Sequence, residues 1–439
     1  MIGGVAIYTP DNPALVAVLA SLPGRLWRYA DHARLLLHFT ASKARVGDVD
    51  RWGFSRLSAN ILRGYIPARV LVPLKDHLKA AGVLETAGWS VGRAATGFKI
   101  LPAFSGPSVR HVLTNTRLAE KVAEFRASFA TADTSDGAEL REVINRRRPV
   151  LDHLRRCLGR LSLPDAPRAV ADAAIAEGAG TDWSRYATQV IGHGDDVSIK
   201  VDGFGWRVHS ILTRIPREVR HRLLLDGRPL AEVDVSCAQP LLLACFLVEH
   251  RTGPELRGHE GTRGERERTP SMLCAAACPT YVVRPRVVHM LCASVPAGEL
   301  RDFTAACEAG LVYDLLAADV RCSRDTAKGR MWSQVLFGDV DAGGKTADAF
   351  ARRWPNVLRV IREWKRLGDY RDVSRTLQRW ESTIMIDHVL PSLLAGDKKM
   401  GVLTVHDALA VMVEDADRAQ HAIEAAFGCW GLKPRVKVK

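Results

Sequence analysis

This chain has no run of about 18 consecutive apolar residues, so nothing in its sequence is suited to cross a bilayer as a single helix. Its first residues also lack the basic stretch, apolar core and small-residue cleavage site of a secretory leader. A cytoplasmic protein with no membrane partner is the expectation. Cysteine is sparse: nine residues scattered over 439 do not make a disulfide framework. Cys245, inside the apolar run LLLACFL, is expected to be a core thiol. Cys274, Cys278, His289 and Cys292 form C-x3-C-x10-H-x2-C, the donor types that zinc takes, but the spacing departs from the common ones. They lie in a polar, Gly/Arg-rich and then Ala/Cys-rich stretch, about 251–298, that reads as an insertion loop, so zinc is not expected there. Acidic residues are in deficit. Sixty-two Lys and Arg against 49 Asp and Glu leave a formal charge of +13, which favours polyanionic partners, nucleic acid first.

The chain divides by texture into three regions. Within residues 1–110, HARLLLHFTASKA, RLSANILRG and ARVLVPLKDHLKAAG each carry helical periodicity. GVLETAGWSVGRAATGFKILP follows, and reads as a two-stranded ribbon with a Gly-rich tip. Helices followed by a ribbon suggest a winged-helix-like nucleic-acid-binding domain, with Arg63, Arg69, Lys75, Lys79 and Arg93 available to phosphates. The plainer alternative is a helical domain with solvated basic faces. Residues 111–195 are helical in pattern, broken at TADTSDG. The second helix carries Arg148, Arg155 and Arg156 at helical spacing, so an antiparallel hairpin with one basic edge is expected. From 196 to 439 strands alternate with helices, which predicts an α+β domain.

Chemistry concentrates in this last region. In RPLAEVDVSCAQPLLLACFLVEH an apolar strand ends at Asp234, and Gln239 and Pro240 open an apolar helix. In VLTVHDALAVMV a His406-Asp407 pair sits between two apolar runs that read as buried strands. An exposed hairpin turn would explain Asp407 alone, since Asp is common in turns. A second carboxylate at a strand end allows another reading. Two carboxylates on adjacent strands can hold two magnesium ions that stabilise the attacking and leaving oxygens of phosphoryl transfer. Between these stretches lies SRDTAKGRMWSQVLFGD, where Arg324 and Lys328 share a helix face that Trp332 continues and Phe337-Gly338 close the segment. Cations followed by an aromatic suit a nucleoside triphosphate: charge for the phosphates, a ring for the base. An amphipathic surface helix would look the same. Arg207 and His209 in GFGWRVHS, and Gln378 and Glu381 in LQRWESTIMIDH, are polar groups placed to meet a primer end or a templating base, or else are ordinary surface polars.

Taken in order, Arg-x-His, D-x-S-x-x-Q, R-x3-K with a following aromatic-Gly, and H-D resemble the palm and fingers of family A DNA polymerases. The phage-type single-subunit RNA polymerases share the plan. The likeness spans roughly residues 200–415, with the basic hairpin in the place of a thumb. It implies that Asp234 and Asp407, helped by the backbone carbonyl of Val235, bind two Mg2+ ions. It implies that Arg324 and Lys328 bind the triphosphate, Lys328 also serving as acid for the departing pyrophosphate, and that Trp332 or Phe337 stacks near the nucleotide. Arg207 would touch the primer-template minor groove and His406 the primer end. His209 and Gln378, with Arg148 and Arg155 on the thumb-like hairpin, would be further nucleic-acid contacts. The gap from Lys328 to the aromatic-Gly pair is one residue longer than the family pattern. Gln239 stands where DNA-synthesising members have a Glu that screens the sugar, and Ala408 where they commonly have Glu. No stretch resembles a 3′-5′ exonuclease. The expectation is a template-directed DNA polymerase with primase-like activity, suited to phage or plasmid replication, acting on a DNA or RNA primer-template with nucleoside triphosphates. The alternative is an inactive replication or regulatory protein that binds nucleic acid through its winged helix. A metal-dependent nuclease would use the same two carboxylates but would not need the Arg324–Lys328 helix.

Overall fold

A computed structural model describes residues 4–45, 48–88, 95–129, 137–251, 290–429 and 431–439. Arg93 and the tip of the ribbon, together with Cys274, Cys278 and His289 of the Cys/His set, lie outside the described residues. The chain is α+β, mainly helical with small antiparallel sheets. Among the described residues no helix is long and apolar enough to cross a membrane. Packing divides the chain into two compact units. One holds Met1–Ala132, Arg155–Lys200 and Ser210–Pro229; the other holds Asp133–Leu154, Val201–His209 and Leu230–Lys439. These boundaries differ from breaks at 110 and 195 because stretches between 133 and 229 pack alternately into one unit and the other.

The first unit begins with β1 (Ala6–Pro10), α1 (Pro13–Ala20) and α2 (Ala30–Arg45). Then come β2 (Ser55–Ser58), α3 (Ala59–Tyr65), α4 (Ala68–Ala80), β3 (Leu84–Ala87) and β4 (Ala95–Ile100). β4 is central in a three-stranded antiparallel sheet, with β2 on one side and β3 on the other. Leu35 and Leu36 of α2 and Leu74 and Leu78 of α4 are fully buried in one core, the last pair by i, i+4 spacing. RLSANILRG is therefore not one helix. Arg56, Leu57 and Ser58 are extended because alternation puts Ser55 and Leu57 inside the sheet, and the helix starts only at Ala59. β5 (Ser108–Val112) pairs with β1, and α5 (Thr116–Ala127) follows. Arg63, Arg69 and Lys79 are exposed. α6 (Gly137–Leu158) is divided: its first turns belong to the second unit and its last turn to the first. α7 (Pro167–Ala176) and α8 (Thr181–Gly192) pack on each other in the first unit.

The second unit is built on an antiparallel sheet of β6 (Arg228–Val235), β7 (Val402–Val405), β8 (Ala408–Met412) and β9 (Val436–Val438), in the order β7-β8-β6-β9. α9 (Ala238–Arg251) buries every residue from Leu241 to Leu247, which is why that run has no polar face. α10 (Ala297–Glu308), α11 (Val312–Val320), α12 (Arg324–Met331), α13 (Lys345–Arg353), α14 (Pro355–Leu367), α15 (Asp372–Ser382), α16 (Leu390–Gly396) and α17 (Ala416–Gly428) complete it. Ser323 caps α12, its hydroxyl accepting from the Thr326 amide at 3.2 Å.

Beyond Met331 the helix widens. Trp332–Leu336 form a π-turn, in which the Phe337 amide donates to the Trp332 carbonyl at 2.7 Å. An i→i+5 turn takes up one residue more than an α-turn, so it absorbs an extra residue between Lys328 and Phe337-Gly338. Gly338 closes it where a Cβ would fall 1.9 Å from the Ser333 carbonyl oxygen, so no other residue fits. Lys365 of α14 reaches in from below, donating to the carbonyls of Val335 at 2.8 Å and Gly338 at 2.6 Å. Burial pushes its ammonium down to about 8. The unfolded chain holds this proton to the ordinary lysine range near 10.5 while the folded chain releases it near 8, so this group's contribution to stability rises with pH across that window. Urea unfolding of wild type and Lys365→Met at pH 7 and pH 10 should show the difference shifting toward wild type by about 2–3 kcal/mol at the higher pH. A pH-independent difference would place Lys365 in water.

Candidate active site

The register of β6 against β8 decides which side chains meet. Asp234 lies opposite Ala408, so Asp407, one residue earlier at the hairpin turn, stands beside it. His406 turns the corner with φ +57°, a conformation an L-residue adopts only when the turn demands it. Both aspartates line a cleft of about 160 Å3 whose other walls include Val235, Ser236, Cys237, Gln239, Tyr313, Arg324, Lys328, Trp332, Lys437 and Lys439. Every lining residue belongs to the second unit.

Electrostatically the floor is acidic. Burial raises the Asp407 carboxyl to about 7, and the nearby charges of Glu381 and Asp234 add to the effect. Glu381 is itself pushed up by burial, against which Arg207 and Gln239 pull it down. Arg207 grips it with two parallel bonds, Nε and Nη2 each at 2.7 Å, and Gln239 Nε2 donates to it as well. The carboxylate accepts from the Gln239 amide nitrogen, which leaves the Gln239 Oε1 as an acceptor without that partner. Among the described residues neither Gln239 Oε1 nor Ser236 Oγ has a hydrogen-bond partner, although both residues are buried.

The opposite wall is cationic and aromatic. Lys328 Nζ lies 4.9 Å from the Trp332 ring centre and 6.0 Å from that of Tyr313; Arg324 sits 5.4 Å from Tyr313 and donates to Asp314 at 3.3 Å. The Trp332 indole N–H donates to the Tyr313 hydroxyl at 3.2 Å, which fixes the ring while leaving it 36% exposed. Burial pushes the Tyr313 phenol well above its ordinary range. The cleft's volume is smaller than the roughly 300 Å3 or more of a drug-sized ligand pocket.

No protein-family model matches this chain, and no curated protein matches it. What the site can do is therefore read from its own geometry.

Asp234, Val235, Gln239, Arg324, Lys328, Trp332 and Asp407 all line the one cleft. Phe337 is half-buried, its ring 5.9 Å from Trp332, and it is not part of the cleft lining. His209 Nε2 donates to the Asp202 carboxylate at 2.8 Å, and its ring meets the His406 ring edge-on at 5.5 Å. Arg207 is engaged by Glu381, so it braces the site. Gln378 covers the backbone of Gly205, where a Cβ would come within 2.6 Å of its Oε1. Arg148 is exposed, whereas Arg155 stacks on Phe129 at 4.0 Å and donates to the Ala127 carbonyl at 2.6 Å. Cys292 is buried, with its thiol pushed up to about 12. Sequence reasoning missed Tyr313, Lys437 and Lys439 as cleft residues and Glu381 as a buried acid. It also missed Arg147, which is buried and bonded to Asp387 at 2.8 and 2.9 Å, the Trp206 carbonyl and Ser382. Helical phase in NRRRP could have singled it out, since Arg146 and Arg148 on either side are exposed.

Removing one partner of a buried ion pair leaves the other charge stranded. Arg207→Met should cost about 3 kcal/mol in urea unfolding, whereas Lys328→Met should stay within about 0.5 kcal/mol. Equal effects would mean that the Arg207–Glu381 pair is not a brace.

Proposed function

We propose that this chain is a template-directed nucleotidyltransferase, a polymerase of the family A kind that adds nucleotides to a 3′-hydroxyl. What supports the reading is one observation: two carboxylates, a cationic pair, an exposed indole and a buried amide, drawn from three stretches far apart in sequence, line a single cleft. The donor set suits magnesium. Asp234 and Asp407 offer the hard oxygens that such an ion takes. Asp234 and Asp407, with the Val235 carbonyl, would hold such ions. Held there, magnesium would supply activation of the 3′-hydroxyl and neutralisation of phosphate charge.

The protein's own groups do the rest. Arg324 and Lys328, one turn apart on a capped helix, take the triphosphate and absorb charge as pyrophosphate leaves. Lys328 gives that leaving group its proton. Trp332 offers its exposed face to the base, and Gln239 lines the floor beneath the sugar. His406, steadied by His209, borders the primer end. The helix–strand–helix–helix–strand–strand order of residues 30–100 is that of a winged helix, and exposed Arg63, Arg69 and Lys79 give it phosphate contacts. Arg148 adds another in the second unit.

A second reading, a nucleic-acid-binding protein whose palm is a scaffold, draws on a different observation. Lys439 Nζ lies 2.5 Å from Asp234 Oδ2, so an internal cation already balances one of the two acids. Extension of a labelled primer-template with magnesium and either dNTPs or rNTPs separates the two. Magnesium-dependent product is expected from the wild type, reduced at least about a thousandfold in Asp407→Ala. No product with either sugar on DNA or RNA templates would favour the scaffold.

A further inference from the structure

Two lysines reach the cleft from the carboxy-terminal strand, and no motif pointed to them. β9 pairs antiparallel with β6, with Lys437 directly opposite Asp234, and reciprocal 3.0 Å backbone bonds between Glu232 and Lys439 extend the ladder. Opposed residues on neighbouring strands share a face, as do residues two apart on one strand, so Lys437 and Lys439 both emerge on the face that carries Asp234. Both line the cleft. Only Lys439 makes the bond, its ammonium 2.5 Å from Asp234 Oδ2, with the two side chains 28% and 25% exposed. The pair is thus reachable by solvent ions.

We propose that Lys439 is a displaceable counter-ion, whose ammonium holds the position on Asp234 that a divalent cation takes and gives it up when that cation binds. The inference rests on the metal-binding reading of the same cleft. Asp407 is repelled by both Glu381 and Asp234, and Arg207, whose bonds go to Glu381, also draws on Asp407. Asp234 needs its own cation when no metal is present. A lysine is suited to a temporary post. Its charge is compact and fully donating, and its four-carbon stem can swing aside while the backbone ladder stays intact. A guanidinium gripping both oxygens, as Arg207 grips Glu381, would not let go so readily. Asp407 keeps no comparable lysine among the described residues, so the exchange is confined to one of the two carboxylates.

Manganese is the probe, because its free form is read directly by electron paramagnetic resonance without any turnover. The full chain and its Lys439→Gln, Lys439→Arg and Lys437→Gln variants are titrated with Mn2+ at low ionic strength. Removing the competitor should tighten Mn2+ binding by Lys439→Gln about three- to fivefold. Lys439→Arg, which keeps the charge, should bind no more tightly than wild type. Lys437→Gln, which removes an equal charge from the next position on that face, should move the affinity less than Lys439→Gln does. Equal or weaker binding by Lys439→Gln overturns the inference and leaves the metal site standing. No Mn2+ binding by any of the four overturns both.

Discussion

The antiparallel register that sets Asp234 opposite Ala408 is the constraint on which the rest of the second unit depends. It brings two acids together at the ends of strands whose other residues, Val233, Leu409 and Val411 among them, are fully buried. β7 and β8 are buried along their whole length, on both faces, so the apolar packing that seats these strands also imposes a charge arrangement that electrostatics alone would reject. The conflict is local and visible in Asp407, whose proton is held to about neutral pH. Such conflict between burial and charge is common at functional sites and supports the proposed reading of the cleft.

Around this point the molecule separates groups that are fixed from groups that are available. Glu381 is locked by Arg207 and Gln239, and Asp387 by Arg147, each through multiple bonds. Lys365 locks the π-turn from beneath. Arg324, Lys328 and Trp332 keep exposed surface and only weak contacts with Tyr313 and Asp314. Rigid support under groups left to meet a ligand is the arrangement that positions catalysis with little reorganisation.

Much of this framework was legible in the sequence for simple reasons. An apolar strand running into Asp234, a helix with no polar face and a His-Asp pair between two β-branched runs each carry a local signal of period or punctuation. The ribbon of β3 and β4 was readable from its glycines. β2 was not, because Ser55–Ser58 is too short to show alternation and its strand character comes from pairing with Phe98, Gly97, Thr96 and Ala95, about forty residues away. The π-turn was hidden as well: a widened turn has no composition of its own, and the longer spacing from Lys328 to Phe337 looked like a broken pattern. Glu381 could be read as a surface polar or as a group facing a primer end, and nothing in one dimension says that it lies near Asp407 or that Lys439 meets Asp234. In NRRRP one arginine turned out to be an anchor and its neighbours solvent-facing, a division set by helix phase and not by residue type.

The central claim is that Asp234 and Asp407 are held close against their mutual repulsion to bind divalent cations. Thermal unfolding of wild type and Asp407→Asn, each with and without magnesium, addresses it directly, because asparagine keeps the shape and removes the charge. Without magnesium the variant is expected to melt about 2–4 °C higher than wild type, and magnesium should raise the wild-type midpoint while leaving the variant's unmoved. A variant that melts at or below wild type and still gains from magnesium would contradict the claim.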